Sequence, residues 1–179
     1  MSDYAKEVFA ATLEHLLNQH QLSNITVSLF AKESGLSRRT FYNNYIDIYD
    51  FIFSVHFMRT QNFRDSFWED RDFYTATLLS LHTIKKYHKF YKNLVKIQGP
   101  DSFINSLISF LMGINPKLIE HPIHKDLEFC LELYWSGYAY KLCRWIEHDM
   151  DIPPEKFVHM LGNSVPEQLK PYFHLNLCT

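Results

Sequence analysis

The side chains best suited to recognising another molecule lie in the stretch SRRTFYNNY, residues 37–45. Arginine can bond bidentately to guanine and asparagine to adenine, whereas hydroxyl groups and the backbone N–H groups of a helix start suit phosphates. On one helix, Phe41 and Tyr45 would lie four residues apart and face inward. The outer face would then carry Arg38, Arg39, Thr40, Tyr42, Asn43 and Asn44. This face predicts a DNA contact, and the alternative is a helical pair on the surface of some other all-α protein.

The preceding residues predict how this face is positioned. Thr26 can cap a first helix over 26–34, in which Phe30 faces the core. Gly35 suits the left-handed position that ends a helix, and Leu36 would fill the turn. Ser37 can cap a second helix over 37–44. Two short helices joined in this way form a helix-turn-helix, which places its second helix in the major groove of DNA.

Over roughly residues 5–60 the chain resembles the DNA-binding head of the tetracycline-repressor (TetR) family. The resemblance is carried by residues in register: Ile25-Thr26, Phe30-Ala31, Gly35-Leu36-Ser37, Thr40-Phe41-Tyr42 and Tyr45. It implies a three-helix head, a helical body that binds a ligand and dimerises, and a homodimer on a palindromic operator. By position, the residues nearest base edges would be Arg38, Arg39, Tyr42 and Asn43. Those nearest phosphates would be Thr26, Ser28, Ser37, Thr40 and Asn44.

The charge of this head departs from the usual pattern. The family often has a phosphate-contacting lysine at the start of the fourth helix, where this chain has Ile48 between Asp47 and Asp50. Much DNA affinity comes from counterions displaced by Lys and Arg, so we expect weak non-specific binding. Residues 1–50 hold four basic residues (Lys6, Lys32, Arg38, Arg39) against six acidic ones (Asp3, Glu7, Glu14, Glu33, Asp47, Asp50), a sum of −2.

Composition and periodicity predict an all-α protein. Apolar residues make up 46% of the chain, and only five glycines and seven prolines interrupt it. There is no sustained period-two alternation, which strands would show. We expect a helix-turn-helix DNA-binding domain over residues 1–46 and a helical regulatory and dimerisation domain over 47–179. Helices are expected near 3–20, 26–34, 37–44, 47–64, 72–87, 88–99, 102–115, 125–149 and 153–168, with a polar break at 68–72.

The end of the chain carries a second resemblance. The stretch YWSGYAYKLCRWIEHDMDIPPEKFVHML is similar to the closing helices of many TetR-type regulators. It implies that helices near 125–148 and 153–168 pair with their symmetry mates in a four-helix bundle. Gly137 permits close approach of helices, and Leu133, Tyr140 and Trp145 supply apolar area. The alternative is that these residues pack only within one chain.

The aromatic content of 16% is notable outside the head. The family resemblance implies an effector pocket in the body, and a helical bundle can hold an apolar pocket between its helices. The alternative for each ring is a place in the core. The candidate pocket residues are Phe63, Phe67, Tyr87, Phe103, Phe110, Tyr134 and Tyr138.

Other chemistry is not indicated. There is no G-x-S-x-G motif, phosphate-cradling glycine loop or H-E-x-x-H motif, so we expect neither an enzyme nor a bound cofactor. His121 and His124 are interpreted as part of a solvated loop rather than a metal site. The three cysteines are interpreted as reduced thiols of a cytoplasmic protein, with a redox switch as the alternative. The chain has no uninterrupted apolar run long enough for a membrane helix.

These observations favour a homodimeric repressor that a small-molecule effector releases from a palindromic operator. The acidic head and the missing lysine keep a second hypothesis open. In that hypothesis the chain is an interaction protein or co-regulator of the same fold, with weak or no direct DNA binding.

Overall fold

The structure, a computed structural model, describes residues 3–70, 72–100, 102–119 and 123–173. These residues form ten α-helices and two short 3-10 turns, and the all-α prediction is confirmed. The helices are α1 (Asp3–Gln19), α2 (Val27–Ser34), α3 (Arg38–Tyr42), α4 (Ile48–Arg59), α5 (Gln61–Asp70), α6 (Phe73–Lys86), α7 (His88–Leu94), α8 (Phe103–Leu118), α9 (Lys125–Glu147) and α10 (Pro154–Asn163). We call residues 3–46 the head and residues 47–173 the body; a domain boundary at this point remains a prediction.

A cluster of five aromatic rings, four from the head and Phe51 from α4 of the body, forms the core of the head. The ring centre of Phe30, on α2, lies 5.0 Å from that of Phe9 on α1 and 5.0 Å from that of Phe51 on α4. Phe51 also lies 5.0 Å from Tyr45. Phe41 of α3 lies 5.4 Å from Tyr45. Edge-to-face and tilted pairs of this kind add to the free energy gained from burial. Because each of the first four helices contributes a ring, the cluster fixes their relative positions.

The junction between α4 and α5 differs from the prediction. A helix was expected to run from 47 to about 64, but α4 ends at Arg59 and α5 begins at Gln61. The Thr60 hydroxyl donates to the His56 carbonyl oxygen (2.9 Å), and the Arg64 guanidinium donates to the Phe57 carbonyl oxygen (2.7 Å). These bonds satisfy carbonyl groups that a helix end leaves without a partner.

The polar break expected at 68–72 is also wrong for most of its length, because α5 continues through Asp70. Polar residues without glycine or proline do not by themselves stop a helix. The next helix begins at Phe73, where the Asp72 carboxylate accepts hydrogen bonds from the backbone N–H groups of Tyr74 and Thr75.

The body is a packed set of helices. Helix α6 packs against α5 and α10, α8 packs against α9, and α7 bridges α1 of the head to α9 of the body. The largest fully buried side chains here include Trp135, Tyr91 and Phe103. None of the helices in the described ranges combines the length and the apolar character needed to cross a bilayer.

Several helix ends differ from the expected positions. Helix α8 passes Pro116 and ends at Leu118, although a proline lacks the backbone N–H donor and usually kinks or ends a helix. Helix α7 ends at Leu94, α9 at Glu147 and α10 at Asn163, each before its expected end. After α9 the backbone turns through left-handed conformations at Asp149 and Met150, with φ of 59° and 56°.

Candidate nucleic-acid interface and body cavity

The turn between α2 and α3 has the predicted geometry. The Thr26 hydroxyl accepts a hydrogen bond from the Leu29 N–H (3.2 Å), and the Ser37 hydroxyl accepts one from the Thr40 N–H (3.0 Å). Gly35 ends α2 in the left-handed region, with φ of 69°, where a side chain would be strained. The three cap residues therefore have the predicted roles. Helix α3 is shorter than expected, because it ends at Tyr42 and Asn43 is its C-cap.

The four side chains predicted to lie nearest base edges all face solvent. Arg38, Arg39, Tyr42 and Asn43 are exposed, and Tyr42 is 50% exposed. Within the described part of the chain, none of the four forms a side-chain hydrogen bond or ion pair. The Arg38 guanidinium lies 5.9 Å from the centre of the Tyr42 ring, which restrains both side chains on the same face. This face therefore offers two cations, an amide and a phenol whose hydrogen-bonding groups have no partner within the described residues.

The residues predicted to lie nearest phosphates are partly engaged in holding the turn. The Ser37 and Thr40 hydroxyl oxygens lie 2.9 Å apart, and the Asn44 amide donates to the Thr40 carbonyl oxygen (2.8 Å). The Thr26 oxygen caps α2, and Ser28 is exposed in the first turn of that helix. A hydroxyl that accepts a cap bond keeps its own proton. The bond between Ser37 and Thr40 uses one of their two protons, so the other and the hydroxyls of Thr26 and Ser28 can donate to a phosphate oxygen.

The start of α4 is capped by its own carboxylates. The Asp47 carboxylate accepts from the backbone N–H groups of Tyr49 (2.8 Å) and Asp50 (2.9 Å), and the Asp50 carboxylate accepts from the Ile46 N–H (2.9 Å). Two acidic groups thus occupy the positive end of this helix. Ile46, in the loop before it, is 84% exposed. The place where a lysine was expected to meet a phosphate is therefore apolar and acidic.

Arg59, the last residue of α4, links the head to the body. Its guanidinium pairs with Glu14 of α1 and lies over the rings of Tyr87 and Phe90, 3.8 Å and 4.6 Å from their centres. The side chain is 6% exposed, and one guanidinium nitrogen, Nη1, has no hydrogen-bond partner among the described residues. Burial lowers the pKa of this guanidinium, and the Glu14 carboxylate opposes that shift. Helix α4 therefore holds the head through Phe51 near its start and through Arg59 at its end.

A small cavity lies between α4, α5, α6, α8 and α9. Besides the Tyr138 phenol, its polar lining consists of His56, Thr60 and Ser80, and its volume is about 20 Å³, room for about one water molecule. Three of the seven aromatic residues proposed for a pocket line it: Phe63, Phe110 and Tyr138. The remaining wall is aliphatic. No sequence pattern identifies His56, Thr60 and Ser80 as neighbours, because isolated polar residues on separate amphipathic helices do not indicate which of them meet in the fold.

The other four candidate aromatics lie elsewhere. Phe67 stacks on Phe63 behind the cavity, and Tyr87 lies beneath the Arg59 guanidinium. Phe103 packs edge-on to His56, 5.1 Å from its ring centre. Tyr134 donates from its hydroxyl to the Leu161 carbonyl oxygen (3.3 Å). These four rings are core or junction residues and do not line the cavity.

His56 is the buried titratable group of this cavity. Its Nδ1 lies 3.1 Å from the Tyr91 hydroxyl, and the residue is 8% exposed. Burial lowers the pKa of His56 to about 3, and the charges of Arg64 and Arg59 act in the same direction. The imidazole is therefore neutral near pH 7. Burial also raises the pKa of Tyr138 to about 12, so the tyrosine in the wall is neutral as well.

One face of α9 is apolar and exposed. Phe129 is 68% exposed, Leu133 65% and Tyr140 53%, at spacings of four and seven residues that place them on one side of the helix. Gly137 lies between them, and a Cβ added to it would meet no atom within 4 Å. On α10, Met160 is also exposed. Large exposed apolar side chains in one stripe are typical of a protein interface.

Trp145, which the sequence also suggests for the dimer interface, is buried within its own chain. Its ring stacks on Phe157 of α10 at 5.1 Å, its Nε1–H donates to the Ile152 carbonyl oxygen (2.8 Å), and it is 3% exposed. The ring holds α9 and α10 together within one chain and leaves no surface for a partner.

The remaining candidate chemistry is limited. No group of three or more His, Cys, Asp or Glu residues in the described ranges could hold a metal ion, and His121 lies outside those ranges. Cys130 and Cys143 are free thiols, and Cys178 lies outside the described residues. Burial, and then the charge of Glu147, raises the pKa of Cys143 to about 12, which makes this thiol a poor nucleophile near pH 7.

Comparisons with known proteins bear on the body and on the fold. A TetR-type family model described as "Transcriptional regulator C-terminal region" matches residues 68–166, more than half of the chain. Among solved structures, the chain is similar to the "Dihydroxyacetone kinase operon activator DhaS", with a TM-score of 0.67, 15% identity, and coverage of 93% of this chain and 97% of that one. At that identity the likeness concerns the fold alone. None of the curated proteins matches the sequence.

Proposed function

The chain belongs to the TetR family of transcriptional regulators, and from that premise we propose that it is a cytoplasmic homodimeric repressor released from a palindromic operator by a small-molecule effector. The observation that carries the proposal is the outer face of α3, where Arg38, Arg39, Tyr42 and Asn43 are exposed and their side chains form no hydrogen bond or ion pair within the described residues. The matched residues 68–166 do not include this face, so its role is argued from geometry.

Each α3 would enter one major groove. The cluster of rings behind Phe41 would hold the helix rigidly, so that little conformational freedom is lost on binding. Arg38 and Arg39 would donate to guanine, Asn43 would bond to adenine, and the caps of α2 and α3 would donate to phosphates. With the usual lysine replaced by Ile48 and two carboxylates nearby, the two arginines would supply most of the attraction.

The dimer would form through α9 and α10. The stripe of Phe129, Leu133 and Tyr140 offers apolar area, and the open space above Gly137 allows a second helix to approach closely. Met160 extends the same kind of surface onto α10. A two-fold axis through this face would present two heads to half-sites about 34–36 Å apart, or a multiple of that distance.

Helix α4 is the element through which an effector would act. His56 and Thr60 line the cavity, and Arg59, between them, holds α1 of the head. A ligand that fits the cavity in only one position of α4 would bind one head spacing better than the other, and only such a difference can change operator affinity.

Footprinting on the DNA upstream of the chain's own gene, repeated over a salt series, tests the proposal. A protected palindrome is expected, and Arg38→Ala should weaken its binding by about 1–3 kcal/mol. The double variant Arg38→Ala/Arg39→Ala should abolish protection. Lys85→Ala/Lys96→Ala removes two exposed cations from the body and serves as the matched control. No protected palindrome even at low salt, with a folded protein, would contradict the proposal.

The sign of regulation needs its own measurement, because the structurally similar DhaS is named as an activator. Transcription in vitro from the protected promoter should fall when the protein is added. A rise would keep the DNA-binding assignment and reverse the sign.

A second candidate is supported by the chemistry around the start of α4. The exposed Ile46, with Asp47 and Asp50 beside it, would suit a protein partner better than a phosphate. In this alternative the chain is a co-regulator with weak or no direct DNA binding. Ile46→Ser should then impair function in cells while leaving any footprint unchanged, whereas Arg38→Ala/Arg39→Ala should have no effect.

A further inference from the structure

The body cavity contains two polar groups that the fold leaves without partners. Nδ1 of His56 is engaged by the Tyr91 hydroxyl, but the other ring nitrogen, Nε2, forms no hydrogen bond within the described residues. The Ser80 hydroxyl likewise forms none there. Both residues are more than nine-tenths buried and both line the cavity. Buried polar groups are rarely left unbonded, so these two call for an oxygen or nitrogen atom in the cavity.

The cavity offers no partner for a charge. Its other polar lining residues have partners in the fold. Thr60 donates to the His56 carbonyl oxygen and accepts from Arg64 at 3.2 Å, and the Tyr138 hydroxyl is hydrogen-bonded to Thr77. Arg59, the other cation near His56, pairs with Glu14, and neither arginine lines the cavity. The rest of the wall is aliphatic or aromatic. An ionised group placed here would lose its hydration without gaining a counter-ion, which is strongly unfavourable.

The rim indicates how a ligand enters. Phe63 of α5 and Phe110 of α8 are half-buried, whereas the other lining residues are buried. The entrance is therefore between these two rings. Because the closed cavity holds only about 20 Å³, a ligand larger than water must displace one of them.

We propose that this cavity binds an uncharged, largely apolar ligand that enters between Phe63 and Phe110 and is held at one hydroxyl or carbonyl oxygen by His56 and Ser80. The proposal deepens the proposed function, because a ligand of this class would be the effector. Nε2 can donate or accept according to which ring nitrogen carries the proton, and the Ser80 hydroxyl can do either. A ligand hydroxyl could satisfy both groups at once.

Four ring compounds of similar size separate the possibilities: benzyl alcohol, ethylbenzene, benzoate and benzylammonium. Each is titrated into the full-length protein, with binding followed by NMR of the histidine rings and by calorimetry. Benzyl alcohol should bind about tenfold more tightly than ethylbenzene, because only the alcohol can satisfy the two buried groups. The two ions should not bind in the cavity. No DNA is present, so the outcome is independent of the footprinting result.

Variants assign the effect to the cavity. Ser80→Ala should remove most of the preference for the alcohol, whereas Ser109→Ala, an exposed serine of α8, should leave it unchanged. Phe110→Ala removes a ring as large as that of the probe and should tighten the binding of both neutral compounds.

Three outcomes would overturn the proposal. Ethylbenzene could bind as tightly as the alcohol, which would mean that the two polar groups do not recognise the ligand. Benzoate or benzylammonium could bind in the cavity more tightly than the alcohol. Finally, no compound could bind to either the wild type or the folded Phe110→Ala variant.

Discussion

The head and the body have cores of different chemistry. The core of the head consists of four of its own rings and Phe51 of α4, and among the head residues whose burial is described none has a buried polar side chain. The buried polar residues of the described chain all lie in the body: His56, Thr60, Thr77, Ser80 and Ser102. The rings of the head pack against each other in a single arrangement. The core of the body contains hydrogen-bonding groups, and these can take more than one partner.

The difference matches what the proposed function would require of each part. A reading head must hold α3 in one orientation, and a core of interlocking rings provides this. A sensing body must change its packing when a ligand arrives, and unpartnered groups beside a small cavity provide a reason to change. The contrast can be tested by perturbing each core and the link between them.

The largest effect is expected in the head. Phe30→Ala removes a fully buried ring from the centre of the cluster and should lower the free energy of unfolding by about 3–5 kcal/mol. Urea titration followed by circular dichroism measures this loss. Tyr42→Ala removes an exposed ring from the same unit and is the control. If the two substitutions cost the same, the ring cluster is not what holds the head.

An intermediate effect is expected from the neutral histidine of the body. Because the folded pKa of His56 is about 3 and an unfolded histidine titrates near 6.5, the unfolded chain binds the extra proton first. Stability contributed by this group is complete above pH 6.5 and is lost as the pH falls. By pH 5 the loss should reach about 2 kcal/mol.

The matched variant is His56→Gln, which cannot gain that proton. Urea titrations of both proteins between pH 7 and pH 5 should show a smaller decline in the free energy of unfolding for the variant. The surrounding groups, Arg64, Arg59 and Tyr91, are the same in both proteins. Equal declines would mean that the imidazole is protonated inside the fold, which would contradict a neutral body cavity.

The smallest effect is expected at the link. Glu14→Gln removes the counter-ion of Arg59, and because Glu14 is 44% exposed the cost should be about 1 kcal/mol. The informative measurement is the separation of spin labels on the head and the body, which should broaden in the variant. Glu7→Gln, an exposed residue of the same helix, should change neither quantity. An unchanged distribution in Glu14→Gln would show that the ring cluster alone orients the head.

The parts of the fold that sequence predicts well are those with local causes. Thr26, Gly35 and Ser37 each act within three residues along the chain, so their spacing defines the turn. Phe41 faces inward as its helical spacing predicts. The match over residues 68–166 likewise confirms the family that the head motif had indicated.

The errors have non-local causes. The break at Thr60 has no glycine or proline to announce it and depends on the Arg64 side chain from the next helix. Trp145 shares the buried face of α9 with Tyr138 and Leu142, and not the exposed stripe of Leu133 and Tyr140. What no spacing within α9 shows is that Phe157, its stacking partner, lies on α10. His56 and Ser80 come together only when α4 and α6 pack, so no spacing could have identified them.

The carboxylates that cap α4 have a consequence for how an operator would be found. Proteins usually slide and hop along DNA because a broad positive surface keeps them near the phosphates between encounters. Here the carboxylates of Asp47 and Asp50 would repel the DNA phosphates close to Arg38 and Arg39, the two adjacent arginines of the head. A regulator of this kind would spend little time on unrelated sequence and would locate its operator mainly by repeated collisions from solution. Its rate of target location would then depend on the number of protein copies more than on the length of DNA around the site.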